Sequence, residues 1–193
     1  MATGTLVVTG DPTADRLVNT EPLALMIAML LDQQIAIELA FMGPARLADR
    51  LGGSLDAHDI AAMDPDDFIE IVRTKPALHR FPASMGGRIQ EMCRHLVDAY
   101  DGDAGAIWRR VRRAEVLAER LGAVPGYGPE KVQILTAVLA KRFDRRPDGW
   151  EKVAGPFADG ELRSVADLDS AEALGRLREK RRAMKAAGKT KTD

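Results

Sequence analysis

The chain has 193 residues, 30% of them charged and 46% hydrophobic, which fits one globular unit or two small lobes with a real core. Its one cysteine, Cys93, excludes an internal disulfide and any zinc or iron–sulfur centre built from this chain's own thiolates. The net charge of −1 is uneven: from Arg176 onward eight basic residues stand against Glu179 and Asp193, so that segment is +6 and the remainder −7. The longest apolar run, Leu23 to Leu31, is too short to cross a bilayer, and Met1 to Gly4 has no basic leader; no membrane partner and a cytoplasmic setting are expected.

In chain order, Thr5 to Thr9 is the one stretch that reads as extended, and it has no evident partner strand. Glu21-Pro22 opens a helix whose apolar positions Leu23, Met26, Ile27, Leu30, Leu31, Ile35 and Leu39 recur at three and four, with Gly43-Pro44 expected to break it. A short helix over Pro44 to Leu51 should stop at Gly52-Gly53. Asp56 to Ala62 forms another turn of helix, and Asp64-Pro65 starts a further one carrying Phe68, Ile69 and Val72. Lys75 to Pro82 is a loop. Ser84 to Tyr100 is a helix ended by Asp101-Gly102-Asp103, and Ala104 to Leu121 leads into a glycine-rich turn. Beyond that turn Val132, Leu135, Val138 and Leu139 line a helix; a short one covers Gly149 to Val153, and Ser170 to Ala187 is a charged helix docking through Ala173, Leu174 and Leu177. The fold class is therefore all-α.

The turn is Val124-Pro125-Gly126-Tyr127-Gly128-Pro129. Two glycines let the main chain turn sharply and approach a ligand closely, and Pro129 suits the first position of a new helix. Such a helix-hairpin-helix presents main-chain N–H groups to one point, which suits a phosphate. The basic tail would add non-specific attraction for phosphates, or else is a solvated helix end.

These residues resemble the helix-hairpin-helix base-excision DNA glycosylases of the endonuclease III type, the HhH-GPD superfamily. Their hairpin reads Leu-Pro-Gly-Val-Gly where this chain has Val124-Pro125-Gly126-Tyr127-Gly128. Their early apolar helix ends in Ser-Gln-Gln or Gly-Gln-Gln, and here Leu30-Leu31-Asp32-Gln33-Gln34 stands in that place. The helix from Met85, with Gly86-Gly87 at its start, occupies the place of their Lys-Ala-rich helix, and the likeness covers roughly residues 20 to 155. The resemblance implies a two-lobed helical fold with a cleft. Residues 44–143 would form a barrel lobe with the hairpin; 1–43 and 144–193 would form the second lobe with the basic helix. It also implies a monomer that binds double-stranded DNA, flips a damaged nucleotide and cleaves the bond between base and sugar.

Residue by residue, the resemblance implies DNA contacts from Val124, Gly126, Tyr127, Gly128, Lys131, Gln33 and Gln34, with Gln34 filling the gap left by the flipped base. The family's catalytic aspartate falls on Asp148, where a carboxylate would stabilise positive charge on the sugar as the base departs. The lead-in Arg145-Arg146-Pro147 departs from the family's apolar lead-in, and Asp144 is an alternative acid. Trp108 and Tyr127 are aromatic rings that could stack on bases. Plainer readings stand beside these: Asp148 as the cap of the helix at Gly149, Gln34 as a buried amide bonded to backbone, Trp108 as core. The lysine nucleophile of bifunctional members is replaced by Glu130, with Lys131 one step round the helix, so a monofunctional enzyme is expected. Cys93 alone cannot supply the family's four-cysteine cluster loop, and His58, His79 and His95 lack ligand spacing. No cofactor and no catalytic metal are expected, though the resemblance admits a structural monovalent cation on the hairpin carbonyls. The alternatives are a DNA-binding relative without glycosylase activity and an all-helical protein-interaction module.

Overall fold

The computed structural model describes residues 3–186 and 188. Ten α-helices are found among them: α1 (Pro12–Thr20), α2 (Pro22–Leu31), α3 (Ile37–Arg50), α4 (Ala57–Ala62), α5 (Pro65–Arg73), α6 (Pro82–Tyr100), α7 (Ala114–Gly122), α8 (Pro129–Arg142), α9 (Trp150–Ala154) and α10 (Ala171–Ala186). Single 3-10 turns lie at Ala104–Ile107, Gly155–Phe157 and Val165–Asp167. Among the described residues no β-strand occurs, and the one extended pairing is an isolated parallel bridge between Arg113 and Asp148. The all-α expectation holds.

At the centre lies α2. All of Leu23–Leu31 is buried, so this helix is apolar all round rather than amphipathic, as a helix sheathed by others must be. Helices α1 and α3 pack on it, α6 and the Ala104–Ile107 turn touch it, and α8 packs against α7, α9 and the Val165–Asp167 turn. The expected continuous helix from Pro22 to Leu39 is instead broken at 32–36, and the expected break at Gly43-Pro44 lies inside α3, as does the start of the expected Pro44–Leu51 helix. Packing explains the exchange. A Cβ on Gly43 would come within 2.4 Å of Leu31 Cδ1, so glycine lets α3 cross close over α2. Burial of Phe41, Leu47 and Ala48 offsets the hydrogen bond lost at Pro44.

Helix α1 was not legible from periodicity, although its start signal is local: Asp11 accepts from the N–H groups of Thr13 and Ala14, and Pro12 follows. This helix also explains the extended Thr5 to Thr9 segment. In place of a partner strand, side chains from α1 hold it. Asn19 Oδ1 accepts from Leu6 N–H at 2.9 Å and Asn19 Nδ2 donates to Leu6 O at 2.8 Å. Buried Asp15 accepts from the N–H groups of Val8 and Thr9. The N-terminal segment is also tied to later parts of the chain: Thr5 N–H donates to Arg142 O at the end of α8, and Val7 N–H to Leu168 O ahead of α10.

Helix α10 docks through Ala173, Leu174 and Leu177 as its stripe implies. Two cations of the basic segment are spent within the protein: Arg178 is bonded to Glu38, and Lys180 stands 3.0 Å from Glu161. Lys189, Lys191 and Asp193 lie outside the described residues.

Candidate nucleic-acid interface

Helix α7, the turn and α8 form the hairpin seen in the sequence. Val124 N–H donates to Leu121 O, and Tyr127 N–H donates to Val124 O, both at 3.1 Å, which closes the chain reversal. Gly126 sits at φ +85°, a left-handed conformation that penalises any side chain. A Cβ there would also lie 2.5 Å from Leu30 Cδ1. Gly128 differs: it is extended (φ −76°, ψ 173°), exposed, and has open space where a Cβ would be. The first turn of α8 has no side-chain cap and starts at Pro129, which leaves the hairpin mouth accessible to an anion.

Three contacts clip the hairpin to the end of α2. Leu30 fills the space at Gly126. Tyr127 Oη donates to Met26 O at 2.7 Å. Lys131 Nζ donates to Met29 O at 2.8 Å and Asp32 O at 3.4 Å, so the ammonium sits on the last carbonyls of α2, where a cation is favoured. Tyr127 is 5% exposed, and burial pushes its phenol well above the ordinary tyrosine range. The expected stacking of the Tyr127 ring on bases is therefore corrected: the ring is buried and anchors the turn, and the buried Val124 side chain faces inward with it, so only the main chain at these two residues is left to meet DNA. Trp108 is likewise buried.

The clip sets the 32–36 segment beside the turn. Gln33, expected to contact DNA, is half-buried with both ends of its amide bonded within the protein: its Nε2 donates to Leu30 O at 2.8 Å and its Oε1 accepts from Arg88 at 3.1 Å on the exposed side. Gln34 is exposed at φ +58°, so the reading of a buried, backbone-bonded amide does not hold. Buried His79 joins this segment to the loop before α6. Its Nε2 lies 2.8 Å from Gln33 O, and its Nδ1 accepts from Phe81 N–H at 3.1 Å, which assigns the proton to Nε2. The exposed ring of Phe81 (44%), under the Arg80 guanidinium, thus stands in one braced group with the glutamine segment. No sequence signal singled out His79 or Phe81, because their loop is joined to Gln33 only through space.

Asp148 is placed elsewhere. Its N–H donates to Arg112 O at 2.7 Å and its C=O accepts from Ala114 N–H at 2.9 Å, which fixes it beside the start of α7, the end away from the turn. Asp148 is exposed, and the N-cap position of α9 is taken by Gly149 (φ +80°) with no side-chain cap, so Asp148 does not cap α9. It borders a hollow of about 350 Å³ together with Trp108, Arg110, Arg112, Asp144, Arg145 and Arg146. Asp144, the alternative acid, stands 3.7 Å from Arg146 Nε. The link between the hairpin and the glutamine segment thus runs through Lys131 Nζ, which reaches Asp32 O, the residue before Gln33 and Gln34. Asp148 shares neither a hydrogen bond nor this hollow with them.

Cys93 is buried, and desolvation lifts its thiol to about 12. Among the described residues no cluster of His, Cys, Asp or Glu could hold a metal ion. No described helix is long and apolar enough to cross a membrane.

Residues 27–190 match the family model described as "HhH-GPD superfamily base excision DNA repair protein". The fold is similar to a solved structure titled "Structure of a Trapped Endonuclease III-DNA Covalent Intermediate: Estranged-Adenine Complex". The two are 18% identical over 80% of this chain and 72% of that one, with a TM-score of 0.46. No curated protein matches the chain.

Proposed function

The chain belongs to the HhH-GPD superfamily of base-excision DNA repair proteins, and from that premise we propose that it is a monofunctional DNA glycosylase-like protein acting on a damaged base in duplex DNA. The observation that carries the reading is the hairpin clipped to α2 by Leu30, Tyr127 and Lys131, with an open mouth at Gly128. A rigid turn with an uncapped helix start suits a backbone phosphate. Gln34, exposed and two residues after the Asp32 carbonyl that Lys131 reaches, is the side chain that fills the space of an extruded nucleotide in this reading.

In this mechanism Asp148 is the carboxylate that stabilises developing positive charge on the sugar. Water adds to the anomeric carbon, the carbon–nitrogen bond breaks, and the base departs with the proton. A water nucleophile is supported by Glu130 at the position of the family's lysine, and by the engagement of Lys131 Nζ with the carbonyls of α2. The reading includes no iron–sulfur cluster, because one chain carries a single, buried cysteine, and a monomer in the cytoplasm.

One observation favours a second reading, a DNA-binding relative without glycosylase activity: Asp148 lies beside the start of α7 in an arginine-lined hollow, not against the hairpin. A panel of duplexes carrying single damaged bases separates the two. The first reading expects base release from one lesion class, abolished in Asp148→Asn with duplex binding retained. Release from none of them, or full activity of the Asn variant, assigns the protein to the second. Gly128→Asp should remove binding in either case.

A further inference from the structure

The pairing of Asp148 with Arg112 and Ala114 brings together two arginine runs that are more than thirty residues apart in the sequence. Arg110 and Arg112 come from one, Arg145 and Arg146 from the other, and all four border the hollow beside Asp148. Against these four cations the lining offers two acids, Asp144 and Asp148. Among the described residues Arg110, Arg112 and Arg145 make no ion pair. Arg146 is partly occupied, donating from Nε to Ala140 O at 3.1 Å. The rim is also held in an arrangement its residues do not favour: Arg110 (φ +60°) and Asp144 (φ +52°) are both left-handed without being glycine.

Converging like charges are unfavourable unless an anion accompanies them. The remainder of the chain before Arg176 is acidic, so this excess of cations is not a general property of the surface. Guanidinium forks match the paired oxygens of a phosphate and hold it bidentately. The volume admits a phosphate with part of its sugar, not a duplex. Trp108, 7% exposed on the hollow's wall, offers too little face for a base to stack on, which favours the phosphate over a nucleobase as occupant.

We propose that this hollow is a phosphate seat for the nucleic-acid strand, separate from the hairpin mouth, with Arg110, Arg112 and Arg145 as its principal ligands. The inference rests on the DNA-binding reading above. The phosphate can be an internal diester or the terminal monoester of an interrupted strand.

The test compares wild type with Arg110→Ala/Arg112→Ala and with Arg16→Ala/Arg94→Ala, an exposed pair on α1 and α6 that changes the net charge equally. Duplex affinity is measured against salt, after thermal melts confirm that each variant is folded; Arg145→Gln is the second hollow variant. One lost phosphate contact lowers the slope of log K against log salt by about 0.9. That change is expected in the hollow variants and not in the control pair; equal slopes in hollow and control variants overturn the seat. A nicked duplex with a 5′-phosphate or a 5′-hydroxyl identifies the source. A several-fold gain from the phosphate, seen in wild type and absent from the hollow variants, assigns the monoester; the slope change without that gain assigns the diester. Loss of binding in Gly128→Asp beside unchanged hollow slopes refutes the seat and leaves the DNA reading standing. If wild type binds no duplex, that reading fails, and titration with inorganic phosphate decides the seat alone: saturable shifts of the hollow's arginine side-chain NMR signals sustain it, and none overturn it.

Discussion

The two hairpin glycines should answer very differently to the same added methyl group. Gly126→Ala places a Cβ 2.5 Å from Leu30 Cδ1 at a backbone φ of +85°. The left-handed conformation costs an alanine about 1 kcal/mol, and crowding a packed core adds about 1–3 kcal/mol, for a total of roughly 2–4 kcal/mol. In a domain of this size each kcal/mol lowers Tm by about 2–4 °C, so melting should fall by roughly 5–15 °C. Gly128→Ala meets nothing within 4 Å at φ −76°, and its stability should change by less than about 0.5 kcal/mol while the methyl obstructs phosphate at the hairpin mouth. Thermal melts and chemical denaturation measure the stabilities, and duplex titration measures the binding. A double-mutant cycle isolates the steric part: in a Leu30→Ala background the Gly126→Ala cost should drop to about the 1 kcal/mol of backbone strain. Equal costs at the two glycines, or a Gly126→Ala cost untouched by Leu30→Ala, would refute the idea that Leu30 locks the turn onto α2.

Three further outcomes are expected. Tyr127→Phe should lose about 1 kcal/mol by denaturant titration, since Met26 O gives up a buried hydrogen bond and no volume changes. His79→Ala should cost about 1–3 kcal/mol by orphaning Phe81 N–H and Gln33 O, and should raise hydrogen exchange at both segments together. Cys93 should resist a thiol reagent until the protein unfolds. Its proton is held more tightly folded than unfolded, so its contribution is complete below pH 9 and declines from there to about 12, by about 1.4 kcal/mol per pH unit. Cys93→Ala should flatten that alkaline limb; the same slope in the variant would assign it to other groups, Tyr127 first among them.

Much of this protein is decided by short-range signals. Glycine and proline act through their own φ, ψ and missing N–H, so Val124 to Pro129 declared a turn between helices without reference to any other part of the chain. The cap at Asp64 was legible for the same reason, since its side chain bonds to the N–H groups of Asp66 and Asp67 just after it. The apolar stripes likewise predicted the docking of α10 and the all-α class. What tertiary structure decided are the places where distant segments compete for one space. Residues 32–36 break a periodic helix, and Pro44 stays helical, because α3 must cross α2 at Gly43. Tyr127 and Lys131 look like ligand-facing residues beside a glycine turn, yet they face the carbonyls of α2, an acceptor about a hundred residues away. Counting along the chain located Asp148 but not its surroundings, for the pairing with Arg112 that sets it among four arginines is a contact through space. Local chemistry specified the turn that can hold a phosphate; only packing determined which side chains were left outside to meet it.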